Sequence, residues 1–183
     1  MLSENRLRKL AETRHYTQIV DEVLSNGRPI TLAFRLRLSD PETLRPAALA
    51  LALRRLTEIS FAVTDTTRYL AEQLLSCCRP SGSFGSIAAT ALALRALFNV
   101  RSQCGLGDLR AEIDAAIGPA LDRISQWQDE SGMIGDSIDS AICRWQLSDC
   151  EPFRSAIRWH DFVLAVEEMP VSRETAALLE SAA

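Results

Sequence analysis

The feature that most constrains this chain is an internal repeat with a period of 50 residues. The segment SGSFGSIAATALALRAL (Ser81–Leu97) aligns without a gap with SGMIGDSIDSAICRWQL (Ser131–Leu147), and five of the seventeen positions are identical. Apolar positions also correspond, since Phe84 aligns with Ile134. A period of this length indicates a supersecondary unit that stacks on its own copy, because one unit alone cannot bury its hydrophobic face.

Each copy has the pattern of a helix, a tight turn and a second helix. Apolar residues recur at helical spacing before the first turn, and the helix after it is apolar on nearly all sides, so it must be buried. We predict repeat units over approximately 61–100 and 108–148, with a weaker unit over approximately 2–40. Leu and Ala dominate the composition, which favours helices. The sequence therefore predicts an all-α chain whose residues 1–183 form a single domain.

The glycine pairs predict how each turn is made. Gly82 and Gly132 can adopt positive φ and end the incoming helix. Ser86 and Asp136 follow the second glycine of each pair, where a side-chain oxygen can accept from the free N–H groups of the outgoing helix. A phosphate-binding loop is the alternative, but such a loop needs a preceding strand, more glycines and usually a lysine. We interpret the glycines as structural.

The helix predicted before the second turn contains Gly118 and Pro119 in its middle. Proline lacks a backbone N–H and clashes with the preceding turn of a helix. We therefore expect this pair to kink or split the helix.

Two stretches, SGSFGS…ATALALRAL and ISQWQDESGMIGDS…SAICRWQL, resemble the repeats of the prenyltransferase and squalene/terpene cyclase superfamily. In that family a Gln-Trp-type motif precedes a glycine-rich turn, and helical hairpins close into an α/α toroid. The resemblance covers about residues 65–150 and, more weakly, residues 20–65. It implies that helices 86–99 and 137–147 line the inside of a partial or small α/α toroid, whereas helices 61–78 and 108–128 form its outer ring.

Asp136 and Asp139 are the candidate catalytic residues. They lie one turn apart at the start of a predicted inner helix, so both carboxylates are expected on one face. In the functional interpretation, this pair would bind Mg²⁺ or Ca²⁺ or act as an acid beside a cavity. The alternative is that they cap the helix and interact with its dipole. The family's Asp-x-Asp-Asp and zinc-binding Asp-x-Cys motifs are missing at the matching positions, and we predict no resident metal or cofactor.

Trp145, Thr90 and Arg95 are the candidate ligand-binding residues. All three fall on the predicted inner helices, where they would face a cavity or a partner. In the resembled family, inner aromatic side chains stabilise carbocations by cation–π contact, which implies this role for Trp145. Packing between repeats is the alternative for the tryptophan.

The overall composition limits the classes of partner. A net charge of −4 argues against nucleic acid, and the longest apolar run, 46–53, is too short to span a membrane. Five irregularly spaced cysteines and a polar N-terminal sequence predict reduced thiols in the cytoplasm. Arg28, Arg35 and Arg37 are a predicted basic cluster where an acidic partner or a phosphate group would bind. Arg35 and Arg37 would share a face in a strand but point in different directions on a helix.

These observations leave two functional hypotheses. The first is a non-catalytic binding or interaction protein whose concave inner-helix surface holds a partner segment or an apolar small molecule, and which forms a homodimer to cover its apolar edges. The second is a small or split enzyme of terpenoid or prenyl transfer that uses the carboxylates near an inner helix start, with Mg²⁺ as cofactor. The missing motifs and the short chain favour the first hypothesis.

Overall fold

The computed structural model describes residues 3–24, 37–38, 40–151 and 153–157 of the chain. Within these ranges the secondary structure is helical, and no strand is present apart from two isolated bridges. The predicted all-α fold class is therefore confirmed. The helices are α1 (Glu4–Glu12), α2 (Tyr16–Val23), α3 (Pro41–Ile59), α4 (Asp65–Leu75), α5 (Ile87–Arg101), α6 (Leu109–Gln126), α7 (Ser137–Leu147) and α8 (Phe153–Ala156).

The described helices pack in two rows. Helices α2, α3, α5 and α7 contact one another in that order and form the first row, whereas α1, α4 and α6 form the second row in the same way. Each second-row helix also packs against a first-row helix, as in a stack of helical hairpins. Helices α5 and α7 correspond to those that the family resemblance predicts to be inner. Closure or curvature into a toroid stays a prediction.

Helix α5 is buried on almost every side because it lies in the middle of the stack, with α3, α6 and α7 packed around it. Its contact with α3 is the most extensive between two helices in the described ranges. Small side chains alternate with leucines on both helices, which lets the two backbones approach closely and the large side chains interdigitate. The buried alanines are Ala88, Ala89, Ala91, Ala93 and Ala96 of α5 and Ala47, Ala48, Ala50 and Ala52 of α3.

Two predictions are wrong in part: that Pro119 would split its helix, and that Gly82 and Gly132 would end the incoming helices. Helix α6 continues unbroken to Gln126 with Pro119 inside it, so the proline does not split the helix. One missing N–H is a local loss, whereas packing against α5 stabilises α6 as a whole. The incoming helices also end before the glycines, since α4 ends at Leu75 and Gly82 lies further along the chain. The same holds for Gly132, so both glycines belong to the turns rather than to helix caps.

Part of the weaker N-terminal unit lies outside the described residues. Helices α1 and α2 form a helical hairpin inside the range 2–40. Arg28 and Arg35 of the predicted basic cluster fall on residues that the structure does not describe, whereas Arg37 is described. No helix in the described part of the chain is both long and apolar enough to cross a membrane.

Candidate functional site

The two turns that precede α5 and α7 are closed by the same backbone hydrogen bond. In the first turn, the Arg79 N–H donates to the Ser83 carbonyl oxygen at 2.9 Å. In the second turn, the Asp129 N–H donates to the Met133 carbonyl oxygen at 2.8 Å. The two pairs are offset by the 50 residues of the sequence repeat. The two turns therefore repeat in backbone geometry as well as in sequence.

Gly82 packs directly against the second-row helix of the next unit. Its φ is +81°, and a Cβ at this position would overlap the carbonyl of Pro119 and lie 2.8 Å from the Ala120 nitrogen. Gly132 has nearly the same φ, +89°. Only glycine adopts this conformation readily and also leaves room for a neighbouring backbone. The first turn thus rests on α6, which belongs to the second unit.

A buried hydroxyl group completes each turn. The Phe84 N–H donates to Thr90 Oγ1 at 3.0 Å, and the Ile134 N–H donates to Ser140 Oγ at 2.8 Å. Both hydroxyl-bearing residues are fully buried, and Thr90 also donates to the Ser86 carbonyl oxygen at 2.7 Å. Thr90, a candidate ligand-binding residue, is therefore engaged in the turn. These turn amides bond to the protein itself, unlike the amides of a phosphate-binding loop.

The predicted helix caps are confirmed in both units. Ser86 Oγ accepts from the Ala89 N–H at 3.2 Å at the start of α5. Asp136 Oδ1 accepts from the N–H groups of Ile138 and Asp139 at 3.0 Å each at the start of α7. Side-chain oxygens at this position satisfy backbone donors that have no partner within the helix.

Arg37 pairs with both candidate catalytic carboxylates. Its Nη2 donates to Asp136, from which it is separated by 99 residues, and its Nε lies 3.2 Å from Asp139 Oδ1. Burial raises the pKa of the Asp139 carboxyl, and this effect outweighs the opposing charge of Arg37. The structure thus brings Asp136 and Asp139 together, but it places a guanidinium where a metal cation would bind.

A groove of about 290 Å³ lies beside the first turn. Its wall includes Cys77, and burial raises the pKa of that thiol, which keeps it protonated. The Arg79 side chain in the same groove is paired with Glu42 at 2.5 Å. The groove therefore contains neither a thiolate nor an unpaired cation at these positions.

Five residues form a polar cluster toward the C-terminal ends of α3, α5 and α7. We call Arg54, Arg95, Trp145, Gln146 and Asp149 the α7-end cluster. Arg54 Nη1 donates to Gln146 Oε1 at 2.9 Å, and the Arg54 guanidinium carbon lies 5.0 Å from the centre of the Trp145 ring. Arg95 Nη1 lies 3.3 Å from the Gln146 carbonyl oxygen and 2.5 Å from Asp149 Oδ1. Two of the three candidate ligand-binding residues therefore meet here.

Burial and charge vary sharply within the α7-end cluster. Gln146 is completely buried, whereas Trp145 is 40% exposed. Burial raises the pKa of the Asp149 carboxyl, but the hydrogen bond and charge of Arg95 outweigh this effect, and the net pKa is lowered. Asp149 is therefore a carboxylate paired with Arg95 at neutral pH. The cluster combines an exposed aromatic ring with buried and half-buried polar groups.

The sequence reasoning missed Arg54 and Gln146, and it named Arg37 only as part of a basic cluster, without its partners Asp136 and Asp139. A signal for Gln146 exists, because Ile138, Ile142 and Gln146 are spaced four residues apart along one stripe of α7. A glutamine on an apolar stripe is expected to be buried and hydrogen-bonded. No comparable local signal exists for the two arginines, whose partners lie 99 and 92 residues away.

No protein-family model matches this chain, and no curated protein or solved structure is significantly similar to it. The fold defines an all-α protein of stacked helical hairpins. Membership of the prenyltransferase and cyclase superfamily stays a prediction based on the repeat. The function must therefore be inferred from the side chains of the site.

Proposed function

We propose that this chain is a non-catalytic binding protein that holds a partner polypeptide segment at the α7-end cluster. The observation that carries the proposal is the pairing of Trp145, 40% exposed, with the guanidinium of Arg54 at 5.0 Å from the ring centre. Tryptophan and arginine contribute disproportionately to protein–protein interfaces, because they combine a large apolar surface with hydrogen-bonding groups.

The Arg54 side chain is held in place before any partner binds. Its Nη1 donates to the buried Gln146 side chain at 2.9 Å, and its Nε donates to Glu58 at 3.3 Å. A side chain that is already ordered loses less conformational entropy on association than a mobile one. This preorganisation supports a binding role for the cluster.

The candidate catalytic carboxylates have structural partners. Asp136 caps α7, and both Asp136 and Asp139 pair with Arg37. A Mg²⁺ ion at this pair would have to displace the guanidinium. In the part of the chain that the structure describes, no group of three His, Cys, Asp or Glu side chains is arranged to hold a metal. These structural partners of Asp136 and Asp139 favour a binding role over the enzymatic alternative.

Selection from a random peptide library tests the proposal, because it requires no assumption about the sequence of the partner. The library is selected on the wild-type protein, and the enriched peptides are titrated by fluorescence polarisation. We expect Trp145→Ala to weaken their binding about 30-fold, because truncation at the centre of an interface costs about 2 kcal/mol.

Trp127→Ala is the matched control for this experiment. Arg123 lies over the Trp127 ring at 4.8 Å, so the pair resembles that of the cluster. Trp127 follows α6 and lies near the start of α7 rather than its end. We expect this variant to bind the peptides like the wild type. Binding that is insensitive to Trp145→Ala, or turnover of a prenyl diphosphate or polyene by the purified protein, would contradict the proposal.

A further inference from the structure

An exposed phenylalanine follows the C-terminal end of α3. Phe61 is 94% exposed, and no other large apolar side chain in the described part of the chain is as exposed. Ile59, the last residue of α3, is 58% exposed, so two large apolar side chains lie close together in sequence at this end of the helix. Apolar surface of this kind is typical of a region that another molecule covers.

The backbone that carries Phe61 is fixed by hydrogen bonds. The Phe61 carbonyl oxygen accepts from the Cys104 N–H at 3.4 Å, and the Val63 N–H donates to the Cys104 carbonyl oxygen at 3.1 Å. Just before the phenylalanine, the Ser60 carbonyl oxygen accepts from Gln103 Nε2 at 2.6 Å. An aromatic side chain on such a preorganised loop loses little backbone entropy when it binds, which is a property of interface anchors.

The groove of about 290 Å³ beside the first turn has room for an aromatic ring. For comparison, a cavity of about 150 Å³ is large enough to hold benzene. The groove is lined by the apolar side chains of Pro41, Pro46 and Phe84 and by the Arg45 guanidinium. A guanidinium attracts the face of an aromatic ring, so the lining suits a phenylalanine.

The charge of the groove favours a ring that is accompanied by a carboxylate. One guanidinium of the groove is balanced by Glu42. Arg45, in contrast, donates to neutral side chains at 3.3 Å each within the described ranges, those of Gln73 and Ser76. Asp65 follows Phe61 by four residues and is exposed at the start of α4. The phenylalanine and its acidic neighbour therefore complement the groove in shape and in charge.

The ring and the groove lie at opposite ends of α3. Pro41 and Arg45 belong to the first turns of this helix, whereas Phe61 follows its last residue. A helix of 19 residues is about 28 Å long. One chain therefore cannot place its own Phe61 in its own groove, and the complementary groove is available only on a second copy.

We propose that this chain assembles head to tail, with Phe61 of one copy inserted into the groove beside the first turn of the next copy. Such a contact joins two different surfaces, so a row of copies always has a free ring at one end and a free groove at the other. Assembly then continues until a ring closes or a filament grows. The inference goes beyond the proposed function, because it concerns another surface and a second copy of this chain.

Sedimentation velocity over a range of protein concentrations tests the proposal. We expect the wild-type protein to form species larger than a dimer, and we expect Phe61→Ala to raise the dissociation constant about 30-fold because it removes the anchor. Arg45→Glu should raise it about tenfold, because a like charge then faces Asp65. Both substituted side chains are exposed, so both variants are expected to fold like wild type.

Trp145→Ala is the matched control, because Trp145 is another partly exposed aromatic residue and belongs to the α7-end cluster. It should leave self-association unchanged. A mixture of Phe61→Ala and Arg45→Glu is the decisive sample, since one variant retains the groove and the other retains the ring. We expect this mixture to form a complex of two chains that grows no further.

Three results would overturn the inference. The first is a wild-type protein that stays monomeric at every concentration. The second is self-association that survives Phe61→Ala or is lost in Trp145→Ala, which would assign the contact to another surface. The third is a mixture of the two variants that remains monomeric, because a symmetric contact between two Phe61 side chains is not restored by mixing.

Discussion

The two repeated units share a backbone but occupy different places in the stack. In the first unit, α5 has first-row neighbours on both sides, and its side chains are mostly buried alanines and leucines. In the second unit, α7 packs most extensively against α5 among the described first-row helices, and Trp145 stays partly exposed. Position in the stack therefore determines which unit can present side chains to a partner.

The two turns are also stabilised by different side chains. In the first turn, Arg79 forms an ion pair with Glu42, which lies 37 residues earlier. At the equivalent position of the second turn, Asp129 Oδ1 accepts from the Ser131 and Met133 N–H groups at 2.9 and 3.0 Å. The Arg79 side chain thus ties the first turn to a distant helix, whereas the Asp129 side chain accepts from N–H groups within the second turn. The shared backbone must come from the glycines, the caps and the buried hydroxyl groups.

Substitution of Gly82 should have the largest effect, because it tests the contact of the first turn with α6. Gly82→Ala is expected to lower the free energy of unfolding by about 3 kcal/mol or more, because it combines strain at positive φ with overlap on the α6 backbone. Gly105→Ala is the control, since Gly105 has φ +87° but nothing within 4 Å of a new Cβ. It should cost about 1 kcal/mol from backbone strain alone. Urea denaturation measures both, and equal losses would show that contact with α6 is unimportant.

The buried hydroxyl groups should have an intermediate effect, of similar size in both units. Thr90→Val and Ser140→Ala each leave a buried N–H without an acceptor, so each should lower the free energy of unfolding by about 1 to 3 kcal/mol. Thr90→Ser and Ser140→Thr keep the hydroxyl and should change stability much less. Thermal or urea unfolding measures all four variants. A large loss in one unit and none in the other would mean that the turns are not equivalent.

The smallest expected effect is on the pH dependence of stability, to which Asp139 and Asp129 should contribute in opposite directions. Burial raises the pKa of Asp139 in the native state, so native protein binds that proton more tightly than unfolded protein, and stability falls as pH rises through the raised pKa. Asp139→Asn should remove this fall. The hydrogen bond from Ser131 lowers the pKa of Asp129 in the native state. The Asp129 carboxylate therefore stabilises the protein above the ordinary pKa of an aspartate, and this stabilisation is lost as pH falls through the lowered pKa.

Urea denaturation of both variants between about pH 3 and pH 7 measures these slopes. Asp129→Asn should be less stable than wild type at pH 7 and should converge with it in acid. Asp139→Asn should differ from wild type in the opposite direction. If the stability difference from wild type changed with pH in the same direction for both variants, burial would not be the dominant influence on the pKa of Asp139.

The local parts of the fold could be predicted from sequence. Ser86 and Asp136 cap the outgoing helices as their positions predict, because capping involves residues only two or three apart. The all-α class follows from apolar periodicity and the repeat. The helix ends are less predictable: Gly82 has the predicted positive φ, but it acts in the turn, where contact with α6 matters and no local pattern reveals it.

The candidate site could be predicted only in part. Trp145 and Arg95 stand out in the sequence because they interrupt or border apolar helical stripes, and they do meet in one cluster. Their arrangement depends on Arg54, whose partner Gln146 is 92 residues away. Contacts of this kind are set by how helices stack, and sequence spacing does not encode them. Arg37 is a second example, since it brings a cation to Asp136 across 99 residues of chain.

The packing of Gly82 on the Pro119 carbonyl has a consequence for how the chain is built and altered. On the ribosome, the first turn emerges before α6 has been synthesised, so the first hairpin is completed only when the following unit arrives. The turn of the first unit thus depends on a helix of the second unit. A chain that ends before α6 would retain the first hairpin but lose the α6 backbone against which Gly82 packs.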